Sequence, residues 1–246
     1  MKRFLQRGLA TALLMAGVAI APQPALAQHA GDIFPGLLSG RIVIENGLVV
    51  PNGRKLFEGD FRDFANGPFA TDDPGFDAAA DTFANGTQIW FRGVGNLGFW
   101  NGSAWVNAPS PATVTVTDAF GELTTFSGSG VLRPEGPVGQ AASGAELHEH
   151  LLFSLVPGPG SPIGAYLLAL QLTSRTTIGT QPGPYDDSDP FYIALNAGLG
   201  IDAFEAAVAA VGAVSTTVIP VPGSLALLAG GLVSLGVAVR RRRRLA

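Results

Sequence analysis

The segment Ala112-Thr113-Val114-Thr115-Val116-Thr117 alternates apolar valines with polar threonines. Successive side chains of a β-strand point to opposite faces, so this pattern predicts a strand with one buried face and one solvent-exposed face. The β-branched side chains favour the same conformation. Residues 122–126 follow after a short turn, and we expect them to return beside the first strand. This pair predicts a β-sheet protein.

Strand-like segments continue on both sides of this pair. Two Asn-Gly dipeptides, Asn46-Gly47 and Asn101-Gly102, each separate two such segments and predict hairpins. At Asn46-Gly47 we expect a type I′ turn, in which both central residues have a positive φ. Further strands are predicted over residues 88–92, 147–155, 165–173 and 190–195, separated by Gly- and Pro-rich joints. We therefore expect an antiparallel β-sandwich or jelly roll.

One helix is predicted near the end of the β-rich region. Asp202 and Glu205 have the spacing of a capping box, and the body over residues 203–213 is rich in alanine. Three apolar residues fall on one helical face: Phe204, Val208 and Val211. Residues 66–85 predict a long ordered loop with three aromatic anchors, Phe69, Phe76 and Phe83.

The N-terminus has the three parts of a secretory signal peptide. A basic start with Lys2, Arg3 and Arg7 precedes an uncharged, mostly apolar stretch over residues 9–20. The motif Ala25-Leu26-Ala27 then matches a signal-peptidase cleavage site. We expect residues 1–27 to be removed, so that the exported chain begins at Gln28.

The C-terminus has the pattern of a membrane anchor. Residues 223–239 are 17 uncharged, mostly apolar residues, at the short end of what spans a bilayer. Residues 240–246 form a basic tail that the positive-inside rule keeps in the cytoplasm, with the arginines Arg240, Arg241, Arg242, Arg243 and Arg244. The ectodomain then covers residues 28–214, with a linker over 215–222 that includes Pro220, Val221 and Pro222.

This tail resembles the PEP-CTERM sorting signal of Gram-negative bacteria, which combines a proline motif, an apolar helix and a basic end. Val221 stands where that signal usually has Glu. The resemblance implies cleavage by a membrane exosortase, after export across the inner membrane and transient anchoring. The product would then reside in the cell envelope or in an extracellular matrix with exopolysaccharide. The alternative is a plain tail anchor without processing.

The predicted ectodomain is strongly acidic. It carries seven Lys and Arg against all nineteen Asp and Glu, a net charge of −12. Such a domain repels nucleic acid and anionic lipid, and it favours cations as ligands. The chain has no cysteine, so its core must hold it without disulfides.

Two of the three histidines lie in Glu146-Leu147-His148-Glu149-His150. On a strand, His148 and His150 share one face about 7 Å apart at Cα, where two imidazoles can bind one zinc ion. Glu149 falls on the opposite, apolar face, so we expect the strand to bend or to lie at an edge. The alternative is a pair of solvent-facing histidines without a metal.

The third histidine, His29, lies just before the first predicted strand. If the N-terminal segment docks on the histidine strand, the shell would be three imidazoles, or two imidazoles and a carboxylate. Asp32 is the natural carboxylate, with Asp72 or Asp73 as alternatives from the loop. The alternative for His29 itself is an unpaired position in a mobile terminus.

A second resemblance concerns the ectodomain. It rests on five phrases: His29-Ala30-Gly31-Asp32-Ile33, Phe57-Glu58-Gly59-Asp60, Ala70-Thr71-Asp72-Asp73-Pro74-Gly75-Phe76, His148-Glu149-His150 and Ser188-Asp189-Pro190-Phe191-Tyr192-Ile193. They are similar to PEP-CTERM proteins whose genes a zinc-responsive repressor controls. This resemblance implies a role in zinc economy.

Catalysis is not expected. The His-x-His strand is similar to that of cupins, but Ser154 and Leu155 stand where cupins place a Glu, and no later histidine follows. A G-x-S-x-G elbow is also absent from the sequence. The acidic run Asp186-Asp187-Ser188-Asp189 could bind calcium or be an exposed turn.

Three tryptophans, Trp90, Trp100 and Trp105, could form a sugar platform or belong to the core. A structural or carbohydrate-binding matrix protein without metal is therefore the alternative function.

Overall fold

The computed structural model describes residues 31–63, 67, 69–157, 163–176 and 181–213. The predicted signal peptide, His29, the sorting motif, the transmembrane helix and the basic tail lie outside these residues. Within the described ranges, no helix is both long enough and apolar enough to cross a membrane.

The described residues are mainly β-structure. In chain order the strands are β1 Pro35–Leu38, β2 Arg41–Ile44, β3 Leu48–Val49, β4 Lys55–Asp60, β5 Ala70–Thr71, β6 Phe76–Ala78, β7 Gln88–Gly93, β8 Gly98–Trp100, β9 Trp105–Asn107, β10 Thr113–Thr117, β11 Leu123–Ser127, β12 Gly130–Leu132, β13 Glu135–Gln140, β14 Leu147–Glu149, β15 Leu152–Val156, β16 Gly164–Arg175 and β17 Phe191–Ala197.

Two larger sheets share one hydrophobic core, consistent with a β-sandwich. One sheet has the order β12-β11-β10-β15-β5, and the other runs β13-β7-β16-β17-β4-β3, with β8 and β9 attached to β16. The core between them is a cluster that includes Val114, Phe126 and Phe153 from one sheet and Phe91, Leu170 and Ile193 from the other. The opposite face of the larger sheet buries a second cluster together with the C-terminal helical segment. Small two-stranded sheets, β1-β2 and β14-β6, complete the fold.

Most of the predicted strands are present. The alternating segment forms β10, and residues 123–127 return beside it as β11, with Val114 opposite Phe126. The hairpin around Asn101-Gly102 is confirmed as β8 and β9, with Trp100 opposite Trp105. The expectation of antiparallel pairing has one exception among the described strands, because β4 and β17 run parallel.

The predicted hairpin at Asn46-Gly47 is wrong. Strand β2 pairs with β1, and β3 pairs with β4, so the two segments join different sheets. Gly47 has a positive φ of 88°, but Asn46 does not. The Asn46 side chain instead binds backbone: its Nδ2 donates to Asp32 O at 2.7 Å, and its Oδ1 accepts from Phe34 N at 2.9 Å. These tertiary bonds outweigh the local turn preference.

Two further expectations are corrected. The predicted loop over residues 66–85 contains β5 and β6, of which β6 pairs with β14. The predicted strand over residues 147–155 divides into β14 and β15, which belong to different sheets. The break after Glu149 agrees with the expected bend, and it leaves Glu149 half-buried.

A single α-helix occurs in the described residues, α1 Ile201–Ala209, followed by a 3₁₀ turn over Val211–Ala213. The predicted capping box is wrong: Gly200 is the N-cap, and Asp202 lies in the first turn without a capping bond. The apolar face is confirmed, since Phe204, Val208 and Val211 are buried. The indole Nε1 of Trp105 donates to Ala207 O at 2.9 Å, which fixes the helix to the sheet.

Candidate metal centre

Three chain segments run side by side and form what we call the histidine ribbon (residues 32–34, 75–79 and 146–150). Ile33 pairs in parallel with Phe76, and Phe76 pairs with Glu149 across β6 and β14. Ile33 and Phe76 are fully buried on the core side. Alternation of side chains then places the neighbouring residues of each segment on the outer face.

The outer face of the ribbon brings together two of the predicted imidazoles and the predicted carboxylate. The rings of His148 and His150 have their centroids 5.1 Å apart at an interplanar angle of 68°. Ligand atoms of Asp32, His148 and His150 all lie within 4.8 Å of one another. Both histidines are exposed and Asp32 is half-buried, so the group is open to solvent.

Backbone contacts hold Asp32 in place. Its Oδ1 accepts a hydrogen bond from Gly75 N at 2.9 Å. Its carbonyl accepts from Asn46 Nδ2 at 2.7 Å. The backbone of the next residue, Ile33, bonds to both neighbours of Phe76: Ile33 N donates to Gly75 O, and Ile33 O accepts from Asp77 N. The carboxylate is therefore positioned before any ion binds.

A backbone carbonyl orients the ring of His150. Its Nδ1 lies 2.9 Å from Asp72 O. A carbonyl oxygen can only accept, so Nδ1 carries the proton in this contact and Nε2 keeps its lone pair. Metal-binding histidines commonly donate their second nitrogen to such a carbonyl, which fixes the tautomer. His150 is thus prepared to bind a metal through Nε2.

A second group shares His150. Asp72, Asp73 and His150 also have ligand atoms within 4.8 Å of one another. Asp73 Oδ1 is 3.9 Å from His150 Nδ1, on the side of the ring that faces Asp72 O. A metal bound to this nitrogen would have to displace its proton and the bond to Asp72 O. The group that contains Asp32 and His148 is the stronger candidate, because it brings both imidazoles together.

Gly75 lies at the centre of the site, although the sequence pattern does not mark it as a site residue. A Cβ atom at this position would lie 2.7 Å from His150 Cε1 and 2.8 Å from Asp32 Oδ1. Gly75 does not have a positive φ, so the need for glycine comes from this crowding. The sequence signal was the Pro74-Gly75 pair before Phe76, which is typical of an ordinary turn.

An acidic cleft of about 210 Å³ continues the outer face of the ribbon. Its lining includes Phe34, Asp77 and Glu146 of the ribbon, together with Glu45. Asp77 is the direct cross-strand partner of His148, so the cleft begins where the histidine pair ends. Among the described residues that line it, none is Lys, Arg or His.

The other candidate residues serve structural roles. Asp187 and Asp189 pair with Arg92 at 3.0 Å and Arg41 at 2.7 Å, rather than converging on a calcium position. Trp100 and Trp105 are buried in contact with each other, with ring centroids 5.7 Å apart. Trp90 is half-buried, with the Arg175 guanidinium 5.5 Å from its ring centroid. The tryptophans do not form a shared sugar platform.

No family model, curated protein or solved structure matches the chain.

Proposed function

We propose that the protein binds zinc on the outer face of the histidine ribbon and acts in zinc economy outside the cytoplasm. The observation that supports this most is the convergence of Asp32, His148 and His150 within 4.8 Å. Two imidazoles and one carboxylate form a donor set typical of zinc sites that keep an open position. The acidic composition of the ectodomain adds attraction for a divalent cation.

Nitrogen donors favour zinc over calcium and magnesium, which prefer oxygen ligands. Asp32 supplies the third ligand in this proposal, because it already lies beside the imidazoles. Covalent geometry keeps the Cα atom of His29 within about 11 Å of that of Asp32, so His29 is the alternative third ligand. The variants Asp32→Ala and His29→Ala distinguish the two, since only the true ligand lowers zinc affinity when it is removed.

The test of zinc binding is calorimetric titration of the untagged full chain in detergent. His148→Ala and His150→Ala should each remove most of the affinity, because the loss of one of three ligands opens the shell. Asp32→Ala should cost less where water can take its place. If the double variant His148→Ala/His150→Ala binds zinc as tightly as the parent, this site is not the zinc site.

The proposal also includes the route of the protein. Signal peptidase would cleave after Ala27, and an exosortase would process the chain near Pro220 to Pro222. The product would remain in the envelope or the exopolysaccharide matrix. Intact-mass measurement of the protein isolated from cells should show a chain that begins at Gln28 and lacks Arg240 to Arg244. A mass that retains the arginines would exclude exosortase processing and leave only a tail anchor.

A further inference from the structure

The acidic cleft adjoins the zinc ligands, so its charge affects which further ligand the metal can bind. We infer that the bound zinc keeps one coordination position open, and that this position takes a neutral nitrogen donor, such as an exposed histidine side chain of a partner protein. The inference rests on the proposed zinc site. It assigns that site to the exchange of zinc between proteins rather than to permanent structural binding.

The open position follows from the geometry of the ribbon. The described residues supply three ligands of the preferred group, whereas closed structural zinc sites have four protein ligands. Both imidazoles are exposed, so a fourth ligand can approach from solvent. The contact between His150 Nδ1 and Asp72 O occupies the remaining ring nitrogen on the loop side. The free approach is therefore along the outer face.

The register of the ribbon shows what lines that approach. Asp32, Gly75 and His150 lie in one row, while Phe34, Asp77 and His148 lie in the next. Beyond them the face continues into the cleft with Glu146 and Glu45. A ligand that binds the zinc beside His148 thus meets the carboxylates of this cleft.

The charge of the cleft selects the ligand. Its three carboxylates, Glu45, Asp77 and Glu146, have no basic residue among their described neighbours in the lining. These carboxylates repel an anionic ligand in this position, and the repulsion is strongest at low salt. A neutral imidazole meets no such repulsion, and its second N–H can donate to a carboxylate. Phe34 offers an apolar wall for the ring.

The experiment uses cobalt(II) in place of zinc in the untagged full chain in detergent. Cobalt reports its coordination through visible d–d absorption, and an added ligand shifts that spectrum only if it reaches the metal. We would titrate imidazole and azide into the parent and into Asp77→Asn/Glu146→Gln. The control variant, Asp202→Asn/Glu205→Gln, removes the same charge from α1, which packs on the second core cluster, away from the ribbon.

We expect both ligands to shift the parent spectrum. Removal of the cleft charges should raise azide affinity by roughly fivefold or more at low salt, while imidazole affinity stays unchanged or falls. The control variant should alter neither. An equal change in both variants would contradict selection by the cleft.

The outcomes separate the two proposals. A chain that shows no cobalt absorption overturns the zinc site itself. Cobalt absorption that neither imidazole nor azide changes leaves the zinc site standing and overturns the open position. Ligands that act only in His29→Ala also overturn the open position, because His29 would then occupy the fourth position.

Discussion

At the scale of single residues, Gly75 sets how closely Asp32 and His150 can approach. Gly75→Ala places a methyl group within 3 Å of both side chains without requiring a new backbone conformation. We expect zinc affinity to fall roughly tenfold, because misplaced ligands lose much of their binding energy. Calorimetric titration measures this effect.

The matched control for Gly75→Ala is Gly200→Ala, whose added methyl group meets nothing within 4 Å. Its zinc affinity should equal that of the parent. Equal affinity in both variants would show that the crowding at residue 75 does not matter for binding.

Protons should compete with zinc at the same site. Histidine side chains in general take up a proton near pH 6.5, and only the neutral ring binds a metal. Lowering the pH from 7.5 to 5.5 should therefore weaken zinc binding, because protons compete with the metal for the ring nitrogens. Competition with a zinc indicator at each pH measures the change. Affinity that does not change with pH would point to carboxylate ligands alone, such as Asp72 and Asp73.

The residue scale shows which parts of the site a sequence can predict. The alternation of His148 and His150 is local, so the pattern alone places them on one face. To predict that Asp32 lies close to these histidines, one must also assume that the N-terminal segment docks on the histidine strand. The roles of Gly75 and Asn46 depend on contacts with residues distant in the chain. No local pattern predicts those contacts.

At the scale of elements, Asp60 connects the end of β4 to the segment before α1. Its carboxylate accepts bonds from Arg62 and from Asn196 Nδ2 at 3.0 Å. Asn196 in turn binds Leu199 N and O. Burial raises the pKa of Asp60, but the bonds and charge of Arg62 and the amide of Asn196 outweigh it, so the pKa lies below its usual value.

This shift predicts a pH-dependent contribution to stability. A carboxyl group with a lowered folded pKa stabilises the fold above its unfolded pKa near 3.9, and that contribution is lost as pH falls through the folded value. Asp60→Asn should cost roughly 1–3 kcal/mol at pH 7 and much less at pH 2–3. Urea unfolding of both proteins at these pH values measures the difference. If the loss of stability is the same at both pH values, the charged form of Asp60 is not its source.

The two Asn-Gly pairs that predict hairpins explain why element prediction succeeds at one place and fails at another. The Asn101 side chain binds within its own turn, accepting from Ser103 N and Ala104 N, so local chemistry determines the hairpin. The Asn46 side chain binds Asp32 and Phe34, more than ten residues away. A tertiary contact replaces the local turn in the second case. The sequence pattern is the same in both.

At the scale of the whole molecule, the hydrophobic core and the zinc site are separate sources of stability. The two core clusters contain the large buried side chains, whereas the site ligands lie on the surface. The metal-free protein should therefore be folded, and His148→Ala/His150→Ala should melt within about 2 °C of the metal-free parent. Zinc at a hundredfold excess over its Kd should raise the parent Tm by roughly 5–10 °C. Melting followed by circular dichroism tests both values, and a metal-free parent without a cooperative transition would contradict the separation.

The parallel pair of β4 and β17 determines when this chain can fold. Tyr192 pairs with Leu56, and Asn196 reaches Asp60 across 136 positions of sequence. Strand β17 also lies between β4 and β16, so the larger sheet stays in two pieces until nearly all of the β-rich chain is available. Such distant pairings have a high contact order and fold slowly, in milliseconds to seconds. A chain cut before Phe191 would expose two open strand edges, which are templates for aggregation. The newly made chain is therefore most prone to aggregation just before β17, the last of the described strands, becomes available.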